Sequence, residues 1–153
     1  MTMQLTSVAF QEGDAIPKQY TGDGRDVSPP LQWRDPPAGT RSLALICEDP
    51  DAPHGTFTHW LAFNLPDDPA ELGEGVRAKA ILPSGTAQGT NDFGKVGYGG
   101  PSPPPGKPHR YFFKLYALDQ PLDLQPGTNK AQLLAAMKGH ILGDAQLMGT
   151  YGR

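Results

Sequence analysis

Residues 89–119 read GTNDFGKVGYGGPSPPPGKPHRYFFKLYALD, and the change of character inside this run sets the fold class. Up to Pro108 it is loop chemistry, dominated by glycine, proline and small polar residues. From His109 it becomes the most strand-like segment of the chain. Alternation places His109, Tyr111, Phe113, Leu115 and Ala117 on one face, and Arg110, Phe112, Lys114 and Tyr116 on the other. A flexible glycine-built loop feeding a rigid strand is a common way to hold a binding site. The backbone amides of the loop can approach a ligand closely, and the strand fixes the side chains beside it.

The rest of the chain repeats this grammar. Its 153 residues suffice for a single domain with a full core, spanning 1–153. The 19 glycines and 17 prolines stand between runs of Val, Ile, Leu, Phe and Tyr, so they read as turns between short strands rather than as disorder. A net charge of −3, with no basic run, argues against nucleic acid as a partner. No stretch has the length and apolarity for integral membrane insertion. The first ten residues lack the charge and apolar pattern of a signal peptide, so the expected location is cytoplasmic. The one cysteine, Cys47, has no partner for an internal disulfide and reads as a buried, inert thiol.

In chain order, residues 3–10 and 31–33 read as short strands. Residues 42–48 carry consecutive apolar side chains, the mark of a strand buried on both faces. Pro50 and Pro53 end it. Residues 57–64 form the next strand, and strict alternation puts His59 with Phe57, Leu61 and Phe63. Residues 66–75 read as a loop and 76–82 as another short strand. Near the end, Asn129 with Gln132 matches a capping box, and Leu133, Leu134, Met137 and Ile141 fall at helical spacing. A second helical turn is expected over 141–147. Seven or more short strands with short C-terminal helices give a mainly β, sandwich-like or barrel-like fold.

Two places carry residues suited to chemistry: the acidic turn at residues 49–54 and the glycine loop with the strand that follows it. If their strands are neighbours, Asp49 or Asp51, His59, His109 and Tyr111 converge. Imidazole and phenol groups beside backbone amides suit an anion, with a carboxylate to orient a histidine. The serine-elbow, phosphate-loop and zinc spacings are all missing, so no catalytic residue, metal or cofactor is assigned.

At these residues the chain resembles the phosphatidylethanolamine-binding protein family, in its bacterial Raf-kinase-inhibitor-like branch. The resemblance rests on Asp49-Pro50-Asp51-Ala52-Pro53, on His59-Trp60-Leu61-Ala62-Phe63-Asn64 and on Gly89-Thr90-Asn91-Asp92-Phe93-Gly94. It continues in Gly97-Tyr98-Gly99-Gly100-Pro101, in His109-Arg110-Tyr111, and in Gly139-His140-Ile141-Leu142 with Gly149-Thr150-Tyr151. These pieces span most of the chain. The resemblance implies a Greek-key β-sandwich-like fold with a small anion pocket. Its implied members are Asp49, His59, Gly100, Pro101, His109 and Tyr111, with Asp51 bracing the turn. Two departures, the Ser102-Pro103-Pro104-Pro105 run and the close at Arg153, imply a more open pocket than in eukaryotic relatives. Bacterial members of the branch are often dimeric, so a homodimer is among the implied partners.

The expected function is a non-catalytic binding protein for a phosphate-bearing group on a small molecule, lipid head group or phosphopeptide. The alternatives are a regulator that docks on a kinase or protease, and a weak acid–base enzyme using His59, His109 and Asp49 on a phosphorylated substrate.

Overall fold

The computed structural model describes residues 2–153 and is mainly β. One antiparallel sheet has the order β1 (Gln4–Thr6), β2 (Leu31–Arg34), β5 (Glu71–Leu72). The other has the order β6 (Ala87–Gln88), β4 (Phe57–Leu65), β3 (Ser42–Asp49), β7 (His109–Leu118), β8 (Ile141–Tyr151). The long connection after β6 returns the chain to pair β7 with β3, a Greek-key return; no barrel closes.

β3 is buried along its whole length, as its unbroken apolar run requires. One face of the large sheet packs against the small sheet: Leu43, Leu45, Cys47, Trp60, Phe113 and Leu115 meet Leu5, Leu31 and Trp33. The opposite face carries Ala44, Ile46, Leu61 and Phe63, covered by Leu133 and Met137 of α1 (Lys130–Met137). α1 begins with the expected capping box, Asn129 accepting from the Gln132 amide and Gln132 accepting from the Asn129 amide.

Three expectations are corrected. Residues 141–147 are not a helical turn. They open β8, which pairs with β7 from Leu118↔Ile141 to His109↔Tyr151. Gly139, at φ +84°, ends the helix, and the free edge of β7 offers the following chain a ladder ten pairs long. Residues 76–82 do not form a strand. The buried Gln88 side chain donates to the carbonyls of Arg77 and Lys79, satisfying backbone that a ladder would otherwise pair. Inside 66–75, two residues of the expected loop form β5.

The most consequential difference lies in β4. Cys47 pairs with Trp60 and Glu48 with Thr58, so His59 is an extra residue, a β-bulge. Leu45 pairs with Ala62 and Leu43 with Leu65, so a second bulge falls at Asn64, whose φ is +57°. Strict alternation therefore fails at both ends of the strand. Leu61 and Phe63 face α1, while His59 turns to the other side, against Tyr111.

Candidate functional site

β3, β4 and β7 end together, and a cleft of about 470 Å³ opens where they do. Asp49, His59, His109 and Tyr111 all line it. Four residues drawn from 49 to 111 thus meet because β3 lies between β4 and β7.

Three imidazoles line the cleft; that of His54 is exposed, and those of His109 and His59 are fixed through the same nitrogen. His109 donates Nδ1–H to Asp49 Oδ2 at 2.7 Å, with both side chains almost wholly buried. Asp49 Oδ1 accepts from the Asp51 amide at 2.7 Å, which locks the carboxylate in the turn. His59 donates Nδ1–H to the Gly99 carbonyl at 2.6 Å, and the Gly99 amide donates back to the His59 carbonyl at 2.9 Å. A carbonyl can only accept, so His59 carries its proton on Nδ1. Neither Nε2 has a hydrogen-bond partner among the described residues. Burial pushes the His59 pKa down, outweighing the Gly99 carbonyl and the carboxylates of Asp49, Asp92 and Asp26, which raise it.

Tyr111 packs between the histidines, its ring 5.2 Å from His59 edge-on and 6.5 Å from His109 in a stacked orientation. Burial raises the pKa of its hydroxyl, which therefore stays protonated and makes no hydrogen bond among the described residues. Phe57 and Phe93 complete an aromatic wall at 4.9 and 5.5 Å from the His59 ring. Neither Phe was singled out from sequence. Phe93 is 44% exposed within an otherwise small and polar loop, and that contrast is the signal that could have found it. Asn91 shapes this loop, accepting from the Phe93 and Lys95 amides and donating to the Gly97 carbonyl.

Asp51 stands outside the cleft. It accepts from the Arg110 amide, Nε and Nη2, each at 2.9 Å, and the guanidinium holds its pKa at about 2. Asp51 and Arg110 thus form a brace on the turn. Gly100 and Pro101 are buried behind the cleft and do not line it. The Gly100 amide donates to Asp26 Oδ1 at 2.7 Å, and the Pro101 carbonyl accepts from the Gly22 amide at 2.8 Å. Ser102, Pro103 and Pro104 take the lining positions instead. Among the described residues, no Lys or Arg lines the cleft. Among the described residues, no group of three or more His, Cys, Asp or Glu is placed to hold a metal ion.

A family model described as phosphatidylethanolamine-binding protein matches residues 6–152, nearly the whole chain. The chain belongs to this family. Within it, the chain is 53% identical over 151 residues to a UPF0098 protein of Methanothermobacter thermautotrophicus, with 99% of each covered. Among solved structures it is similar to CT736 of Chlamydia trachomatis, described as a homolog of the same family (45% identity, TM-score 0.89, 99% and 98% covered). It is also similar to Escherichia coli YbcL, described as a new member of the mammalian PEBP family (32% identity, TM-score 0.92, 100% and 99% covered). The bacterial branch expected from the motifs is consistent with these neighbours. No helix among the described residues is long and apolar enough to cross a membrane.

Proposed function

We propose that this family member is a non-catalytic binding protein whose cleft takes a phosphate-bearing group. One observation carries the reading: two imidazoles, each tied through Nδ1, line one cleft and leave Nε2 unpartnered beside a free phenol. Three convergent polar groups in an aromatic pocket suit the oxygens of a single tetrahedral anion. Among the described residues lining the cleft, none is an activated nucleophile. Ser102 and Thr56 carry hydroxyls into the cleft, and among the described residues neither bonds to His59 or His109. Cys47 is buried, and burial raises its thiol pKa.

Nitrogen-detected NMR of the histidine rings during a phosphate titration tests the reading. His59 and His109 should both shift, and silence at millimolar phosphate refutes it. The Asp49–His109 pair favours a second reading, acid–base catalysis, because a buried carboxylate on Nδ1 orients an imidazole for proton transfer. Turnover of any member of a phosphoester panel, lost in His109→Gln, would favour that reading over simple binding.

A further inference from the structure

We propose that the open edge of β8 is a docking site for an extended segment of a partner protein, one that alternates apolar and basic residues. β8 ends the five-stranded sheet, and β7 is the only strand it pairs with. Its outer edge already takes a piece of this same chain. The Gly13 amide donates to the Met148 carbonyl at 2.7 Å, the Thr150 amide to the Asp14 carbonyl at 2.9 Å and the Ile16 amide to the Thr150 carbonyl at 2.7 Å. The Met148 amide donates to Glu12 Oε1 at 3.0 Å. Met148 and Thr150 therefore turn their backbone groups outward, and the alternation of an antiparallel ladder turns those of Gln146 and Asp144 outward too. These have no partner among the described residues. The chain leaves the edge at Gly13, whose φ is +84°, and the rest of the edge stays open.

Beside the open edge lies a groove of about 430 Å³, between β8 and the free edge of β1. Its floor is Met3, Leu5, Phe10 and Leu147. A strand added to β8 sends alternate side chains to opposite faces. One set enters the groove, which suits apolar residues. The other set lies beside Asp144 and Gln146, on the face that carries Lys114 and Tyr116. Asp144 is exposed and forms no ion pair among the described residues, while Lys114 is held by Glu48. Among the described residues lining the groove, the charged ones are Glu12 and Asp144, both acidic. A lysine or arginine across from Asp144 completes the pairing. A second copy of this chain fits poorly. With Met148 already taken, any register between two such edges leaves the Asp144 carboxylates directly opposite or one diagonal apart on the same face.

Amide NMR of the labelled protein with three capped seven-residue peptides tests this. One alternates lysine and valine, one alternates glutamate and valine, and the third is the lysine peptide N-methylated along its ladder-forming edge. At millimolar concentration the lysine peptide should shift the Asp144 and Gln146 amides downfield and slow their exchange with solvent. The glutamate peptide should bind about 5-fold more weakly, and Asp144→Lys should reverse that preference. The N-methylated peptide should not bind, because it cannot form the ladder. Gln146→Pro removes only an outward N–H, so it should abolish binding; if that variant does not fold, Asp144→Lys carries the test. No shift at millimolar lysine peptide, equal binding of the two charged peptides, or binding of the N-methylated peptide overturns the proposal. So do shifts at Asp144 and Gln146 that follow protein concentration alone, which give the edge to a second copy.

Discussion

Gly99 and Gly100 are adjacent, both are buried and neither has a positive φ, yet alanine at each should behave oppositely. A Cβ on Gly100 would lie 2.5 Å from the Tyr20 carbonyl oxygen, 2.5 Å from Asp26 Oδ1 and 3.0 Å from Thr21 Cα. Two of those are backbone atoms of the loop that the Gly100 amide itself anchors through Asp26. Relieving the clash breaks a charge-assisted hydrogen bond, about 1.5–3 kcal/mol, on top of about 1–3 kcal/mol of overpacking. Gly100→Ala should therefore cost roughly 3–5 kcal/mol, a large share of the stability of a domain this size. A Cβ on Gly99 would instead meet the Phe93 ring at 2.4 and 2.6 Å, with nothing else closer than 3.5 Å. Phe93 is half exposed and can swing away. The loss of its edge contact with Phe57, at 4.7 Å, costs about 1 kcal/mol. The stiffer unfolded chain returns roughly half of that. Gly99→Ala should thus unfold in urea close to the unmodified protein, but its binding of phenyl phosphate should weaken because the wall beside His59 has moved. Equal destabilisation by the two substitutions, or unaltered binding in Gly99→Ala, would refute the division between a packing glycine and a cleft glycine.

Three further outcomes follow from polar groups, the buried His59 and Glu48 and the exposed Asn129. The lowered His59 pKa means that the folded state binds fewer protons than the unfolded one, so this contribution is complete above the unfolded value and is lost as pH falls from there through the folded value. Urea midpoints measured from about pH 7.5 down to 5 should fall more steeply in the unmodified protein than in His59→Gln; parallel curves would contradict this. Burial raises the Glu48 pKa, but hydrogen bonds from Lys114 and Lys130 outweigh it and hold it low. Replacing both lysines with methionine should cost about 2 kcal/mol or more, below the 3–5 of a fully buried pair because the ammonium groups are partly exposed. The same change should make Glu48 titrate above its ordinary range, as carboxyl NMR would report. Asn129→Ala removes one half of the capping box and should lower stability by about 1 kcal/mol in urea, with no effect on ligand binding.

Much of this architecture was legible in the residues. Unbroken apolarity marked β3, alternation marked β7, and a capping box marked the start of α1, because each is a local pattern with one stable local answer. The residue types of the candidate site are legible too: Asp49, His59, His109 and Tyr111 stand out by their chemistry, and the sheet order β4-β3-β7 brings them to one cleft. Three things belonged to the tertiary structure alone. The tail at 141–147 has helical spacing, but the open edge of β7 pairs it as a strand. The Gly100 amide could as well have met a ligand as a side chain, and only the approach of the loop carrying Asp26 decides that it serves the protein. His59 reaches the cleft through a bulge. Alternation within one strand assigns it to the wrong face, because a bulge arises from the mismatch between two paired strands, which no single strand encodes.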